Sequence, residues 1–169
     1  MQPKPYGYIR IDLPPKSYQK YQGKLPYSFE FPTYGIVKPD SDKNADPTWV
    51  NIEFPEFKGK IHLSYKTINN NLAKYIEDSR TLAYKHIIKA DDILEHPFID
   101  KKNKVMGIMY EIKGNAASPF QFFATDSTKH FLRGSMYFNV YPNKDSLAPV
   151  FDFVQSDIKH LIETIKWKD

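Results

Sequence analysis

The chain of 169 residues contains no cysteine, and this absence removes several classes of function at once. Thiolate catalysis, zinc-thiolate sites and iron-sulfur clusters all depend on cysteine side chains. The chain also lacks the glycine-rich phosphate loops GxGxxG and GxxxxGK and the GxSxG motif of hydrolases, and its five histidines show no HxH, HxxxH or HExxH spacing. We therefore expect a protein that is not an enzyme and that holds no cofactor and no metal ion.

Long apolar runs and concentrated charge are missing as well. No stretch of about 18 apolar residues occurs, so no membrane-spanning helix is predicted. The 24 Lys and Arg residues stand against 20 Asp and Glu, which gives a net charge of +4 with the two signs interleaved. The longest basic run, Lys101-Lys102-Asn103-Lys104, is typical of a hairpin tip. Because nucleic-acid-binding proteins concentrate positive charge in a stripe or a tail, we expect no nucleic-acid partner.

Aromatic residues and prolines are abundant. Twelve tyrosines, twelve phenylalanines and 13 prolines, against seven glycines, favour extended structure with rigid connections. Six tyrosines crowd the first fifth of the chain, namely Tyr6, Tyr8, Tyr18, Tyr21, Tyr27 and Tyr34. Two interpretations stay open, because these rings either pack across a sheet or form a face on which a partner docks.

The pattern of apolar residues predicts the order of the elements. Alternation and turn residues predict strands at 8–13, 27–31, 34–37, 49–54, 60–66, 87–98, 105–113, 120–125 and 131–141. A helix is predicted from about residue 69 to 86, and a second begins near residue 145. In the second helix, apolar residues recur at alternating spacings of four and three from Leu147 to Ile165, so this helix must pack on the sheet.

These elements predict an α+β fold with one domain. We expect a mainly antiparallel β-sheet packed by two amphipathic helices, an arrangement that resembles the PsbP-like α-β-α sandwich. Residues 1–5 are predicted to be a tether and residues 6–169 the single domain.

Two polar segments are unusually dense for elements with a buried side. Asp78-Ser79-Arg80 lies in the first predicted helix, and residues 126–135 span the last predicted hairpin. Arg133 shares a strand face with Phe131 and Ser135, so it meets solvent or needs a carboxylate such as Asp78 or Asp126. The cluster is either a structural hydrogen-bond and ion-pair network or a site for a ligand or partner, and the sequence leaves both open.

Six longer stretches carry a resemblance to a known family. These stretches are PKPYGYIRIDLP (3–14), FEFPTY (29–34), WVNIEFP (49–55), IHLSYK (61–66), EDSRTLAYKH (77–86) and QFFATDSTKHFLRG (121–134). Through them the chain resembles the gliding motility lipoprotein GldD family of Bacteroidetes-type bacteria over nearly its whole length.

The resemblance implies a lipoprotein of the cell envelope, with its domain in the periplasm, that is required for gliding and for the linked type IX secretion machinery. It implies contact with other motility and secretion proteins, and a membrane anchor through an N-terminal lipidated cysteine. The given chain has neither a signal peptide nor that cysteine, so residues 1–5 are expected to be the tether that links the anchor to the domain. The candidate interaction surface is Arg80, His86, Asp126, His130, Arg133, Tyr6 and Tyr8. The alternative is a small-ligand-binding or enzymatic domain that uses Arg80, Asp126, His130 and Arg133.

Overall fold

The computed structural model describes residues 13–85, 90–114, 118–138 and 144–168. In chain order its strands are β1 (Tyr18–Lys20), β2 (Tyr27–Ser28), β3 (Glu30–Pro32), β4 (Ile36–Pro39), β5 (Val50–Phe54), β6 (Gly59–Thr67), β7 (Ala90–Asp100), β8 (Val105–Gly114), β9 (Phe120–Thr125), β10 (His130–Phe138) and β11 (Lys166–Trp167). A 3-10 turn at Pro55–Phe57 follows β5, and the two helices are α1 (Leu72–Tyr84) and α2 (Lys144–Glu163).

Seven of these strands form one antiparallel sheet. Its order is β4-β5-β6-β10-β9-β8-β7, so hairpin neighbours lie side by side except where β6 meets β10. The predicted α+β fold with a mainly antiparallel sheet and two helices is confirmed. The predicted tether and nearly all of the predicted strand at 8–13 lie outside the described residues.

One face of the sheet carries the larger core, and α2 packs on it. Alternate residues of β5, β6 and β10 point to this side, as the alternation in the sequence predicts. Val154, Ile158 and Leu161 of α2 are almost fully buried against them. Gly134 lies within this face, where the ring of Phe122 occupies the space that a side chain on β10 would need.

Helix α1 packs on the other face. It begins after Asn71 and is shorter than predicted, ending at Tyr84. Ala83 is fully buried and belongs to a second core with Tyr110, Phe123 and Phe131. Both faces of the sheet therefore carry a helix.

The N-terminal segment, by which we mean residues 13–34, is fixed to α2 through one buried carboxylate. Asp157 is 1% exposed and accepts hydrogen bonds from the Tyr18 hydroxyl at 2.7 Å, from the Tyr34 hydroxyl and from the Lys16 ammonium at 2.8 Å. Burial, and then the bond to Asp157, raise the pKa of both tyrosines. Short strands complete the attachment, because β1 pairs with β3 and β2 pairs with the C-terminal strand β11.

The early tyrosines that the structure describes pack inward. Tyr27 is fully buried, Tyr21 stacks on Phe29, and Tyr18 and Tyr34 reach Asp157. For these four rings the packing interpretation is the one that the structure supports. Tyr6 and Tyr8 lie outside the described residues.

Candidate functional site

A polar area lies beside helix α1 on the same face of the sheet. The antiparallel register places Asn51 of β5, His62 of β6, Ser135 of β10 and Gln121 of β9 in one row across four strands. Arg133 lies two residues before Ser135 and points to the same side. We call these five residues the open polar face, because within the described chain α1 covers the apolar part of the sheet beside them. Asn51, Gln121 and Ser135 are themselves buried, and His62 and Arg133 are half-buried.

Arg133 is the centre of the open polar face. Its Nη1 donates a hydrogen bond to Ser135 Oγ at 2.6 Å, and its Nη2 donates to Gln121 Oε1. Burial lowers the pKa of Arg133, but a guanidinium stays protonated at any physiological pH. The Tyr137 hydroxyl also interacts with the guanidinium. Within the described chain its buried Nε has no hydrogen-bond partner, and no carboxylate forms an ion pair with it. The site therefore holds a partly buried positive charge that only neutral oxygens solvate.

His62 is the second titratable group of the open polar face. Its Nδ1 lies 2.7 Å from Asn51 Oδ1 and 3.3 Å from Asp40 Oδ2. Burial lowers the pKa of His62, the charge of Asp40 opposes this shift, and the positive charges of Lys60 and Arg133 add to it. The neutral imidazole is thus the favoured form near pH 7, and its Nδ1 proton is donated to Asn51 Oδ1. With its proton on Nδ1, the ring leaves Nε2 as an acceptor.

The structure does not bring the predicted surface residues into one cluster. Arg80 lies on an exposed side of α1, 3.9 Å from Glu95 and over the ring of Tyr84. His86, like Tyr6 and Tyr8, lies outside the described residues. Arg133 pairs with neither predicted carboxylate, because Asp78 bonds to Lys74 at 3.0 Å and Asp126 is engaged in its own turn.

Asp126 organises the turn between β9 and β10. Its Oδ1 accepts hydrogen bonds from the backbone N–H groups of Thr128, Lys129 and His130 at 2.9–3.0 Å. Burial by itself would raise the pKa of Asp126, but these N–H groups lower it below its ordinary value. The carboxylate is therefore ionised and turned inward to its own backbone.

His130 lies on the opposite face of the sheet from Arg133. It is 5% exposed, its Nδ1 is 2.6 Å from the Tyr65 hydroxyl, and its ring stacks on Trp167 at 5.0 Å between centroids. Since side chains alternate along a strand, residues 130 and 133 of β10 cannot share a face. His130 and Arg133 therefore belong to different environments.

Local sequence patterns do not predict most of the open polar face. His62, Asn51 and Gln121 are absent from the predicted surface, although the alternation in β6 places His62 on its polar side. Ser135 could be assigned to the face of Arg133 from spacing alone. The contact of β6 with β10 joins distant parts of the chain, and hairpin patterns do not predict such a pair.

Metal ligands and membrane-spanning helices are not found in the described chain. Within the ranges that the structure describes, no group of three or more His, Asp or Glu side chains is placed to hold a metal ion. The helices described here are not long and apolar enough to cross a bilayer.

A family model for the gliding motility lipoprotein GldD matches residues 1–167. The chain belongs to this family. The resemblance seen in the sequence is thus confirmed, and membership in a lipoprotein family places the GldD-type chain in the cell envelope. A comparison with curated proteins finds no match.

Among solved structures, the chain is similar to the solution structure of cyanobacterial PsbP (CyanoP) from Synechocystis sp. PCC 6803. The TM-score is 0.48 at 14% sequence identity, and the match covers 88% of this chain and 95% of that chain. The likeness concerns the fold alone.

Proposed function

We propose that this GldD-family chain acts in gliding motility by binding other proteins of the motility and type IX secretion machinery, and not by catalysis. The observation that carries the proposal is Arg133, a partly buried cation that neutral oxygens alone solvate within the described chain. A carboxylate or a backbone carbonyl of a partner would complete its hydrogen bonding and compensate its charge.

The neighbours of Arg133 suit such a contact. Ser64 lies directly across from Arg133 on β6, and exposed Lys66 is two residues further along the same strand. The neutral His62 leaves an acceptor nitrogen for a donor of the partner. This surface fits an acidic segment that also carries hydrogen-bond donors.

The contacts of three of the five histidines favour binding over catalysis by a serine or threonine nucleophile, and the described hydroxyl next to His130 is that of Tyr65. His62, His96 and His160 bond to an amide oxygen or a carboxylate, namely those of Asn51, Glu111 and Glu30. A hydrolase that uses a serine or threonine nucleophile needs a hydroxyl bonded to its base. These three histidines have no such hydroxyl partner within the described chain.

Attachment and compartment belong to the same proposal. We propose that the native protein is held to the membrane by an N-terminal lipid, as membership in a lipoprotein family suggests, and that its domain lies in the periplasm. Metabolic labelling of the full-length native protein with a fatty acid tests the anchor, and protease access in spheroplasts tests the compartment. Absence of label would refute the anchor, and protection from added protease would refute the periplasmic location.

Site-specific photo-cross-linking in gliding cells tests the docking face. A photoreactive residue at Ser64 or Lys66 of the full-length protein should capture motility or secretion components. The same residue at Lys159, which is exposed on α2, is the matched control and should not capture them. Equal capture from Lys159 and from the two positions beside Arg133, or no capture from those two positions in cells that glide, would contradict the proposal.

Two substitutions, each of which removes one positive charge, test whether Arg133 is needed for gliding. Arg133→Gln should abolish gliding while the melting temperature stays unchanged, and Lys159→Gln should leave both unchanged. A lower melting temperature in Arg133→Gln with gliding intact would mean that Arg133 belongs to a structural network instead.

A further inference from the structure

We propose that a cationic cleft at one end of the sheet, away from the open polar face, binds a phosphate group. The lysine cleft, as we call it, has a volume of about 440 Å³. It is lined by Lys102, Asn103, Lys104, Asp126, Thr128, Lys129, Lys166 and Trp167.

Three separate elements build the lysine cleft. The turn at 101–104 joins β7 to β8, the turn at 126–129 joins β9 to β10, and β11 supplies the C-terminal side. Trp167 ties them together, because its indole N–H donates to the carbonyl of Lys104 at 2.9 Å while its ring stacks on His130. The lysines thus converge through tertiary contacts and not through one run of sequence.

The charge of the lysine cleft is not balanced. Its four lysines are exposed, and none forms an ion pair with a carboxylate of the described chain. The lining also contains Asp126, whose hydrogen bonds to the backbone N–H groups of its turn leave its charge in place, so four positive charges face one negative charge. Asp100, which precedes the basic turn, lies close enough to Lys102 for their charges to interact. Four like charges around one cavity repel each other, and an anion in the cavity would relieve that repulsion.

The number of cations favours phosphate over carboxylate, because a phosphate carries a larger charge and offers more oxygens to share among four lysines. Lysine is a compact point charge with three donors, and several lysines can share the oxygens of a phosphate, which carries a larger charge. A cavity of this size accepts a phosphorylated small molecule or a lipid headgroup.

Exposed apolar side chains next to the cleft make a lipid headgroup one source of that phosphate. Ile99 is 63% exposed and Met106 is 43% exposed, and the two are paired across β7 and β8 just before and after the basic turn. Apolar side chains flanked by lysines are typical of surfaces that rest on anionic bilayers.

The two tryptophans provide the test. In the full chain labelled with ¹⁵N, inorganic phosphate should shift the indole N–H signal of Trp167 in a saturable way. The signal of Trp49, which donates to the carbonyl of Tyr65 and packs on His62, should not move. In parallel, binding to phosphatidylcholine vesicles is compared with and without phosphatidylglycerol.

Two triple variants measure how much the lysines of the cleft contribute to binding the vesicles. Replacing Lys104, Lys129 and Lys166 by glutamine should weaken binding to the anionic vesicles by about fivefold per lysine, which is roughly a hundredfold in total. Replacing the exposed lysines Lys43, Lys85 and Lys113 removes the same charge elsewhere and should leave affinity nearly unchanged.

Each outcome decides the proposal. A Trp167 shift with phosphate that the cleft variant loses supports a soluble phosphate ligand. Binding only to anionic vesicles, lost in the same variant, supports a headgroup. Absence of both responses in the unaltered protein, or an equal loss in the two triple variants, would overturn it.

Discussion

Replacing Asp157 by alanine should detach the N-terminal segment from α2. The carboxylate is the common acceptor of the Tyr18 and Tyr34 hydroxyls and of the Lys16 ammonium. Alanine would leave two partly buried hydroxyls without their acceptor. The lysine would suffer less, because its side chain is 34% exposed and can turn to water.

The expected loss is worked out from these three contacts. A hydrogen bond to a charged acceptor contributes about 1.5–3 kcal/mol, so the two hydroxyls account for most of the effect. The partly exposed lysine adds about 1 kcal/mol or less. Removing the buried charge recovers part of its desolvation cost, which leaves a net loss of about 3–5 kcal/mol, mostly from the two hydroxyls. For a domain of this size, that corresponds to a drop in melting temperature of roughly 6–20 °C.

Thermal unfolding followed by circular dichroism measures this drop. Asp157→Asn keeps one acceptor oxygen and should fall between the native protein and alanine. Asp152→Ala is the matched control, since Asp152 is exposed on the same helix and should leave the melting temperature unchanged. A melting temperature of Asp157→Ala within about 2 °C of the native value would refute the reasoning, because it would mean a loss of about 1 kcal/mol or less.

Three further outcomes are expected. Because burial lowers the pKa of His62, stability should decrease as the pH falls below the ordinary value of about 6.5, and melting curves of His62→Gln should lack that part of the decrease. Gly107→Ala should lower the free energy of unfolding, measured in urea, more than Gly134→Ala does. The methyl carbon added at residue 107 would lie 1.9 Å from the backbone oxygen of Phe123, whereas the one added at residue 134 would lie 2.2 Å from the ring of Phe122, which is a side chain. Burial and a hydrogen bond raise the pKa of Tyr34, so stability should decrease as the pH rises above about 10, and less steeply in Tyr34→Phe.

The local parts of the fold were predictable from the sequence. The β5–β6 hairpin, β8, β9, β10 and α2 each carry their own alternation or helical spacing, and the structure has them within a few residues of the predicted bounds. The spacing of apolar residues along the chain shows which side of a helix or strand is buried, and this spacing can be read from the residues of that element alone.

The short strands were not predicted. β1 has three residues and β11 has two, which is too few for alternation to stand out. Both exist because tertiary contacts hold them, as where Lys168 N–H donates to the carbonyl of Pro26.

The site was predictable only in part. Arg133 stands out in the sequence because a charged residue in a central strand needs an explanation, and the structure supplies Gln121 and Ser135 as its partners. Grouping His130 with Arg133 conflicted with strand alternation, because an odd separation places two residues on opposite faces. The position of His62 beside Ser135 depends on the meeting of β6 with β10, which no local pattern encodes.

The attachment of Lys16 to α2 also determines how the domain would carry a mechanical load. If the protein is held by an N-terminal lipid, tension that passes through residue 13 meets the bonds from Lys16 to Asp157 and to the carbonyl of Phe153 before it reaches any described strand of the large sheet. Behind them, the β1–β3 pair is the next connection. Tension that arrives through residue 13 would therefore separate residues 13–20 from α2 and β3 first, while the seven-stranded sheet keeps its shape.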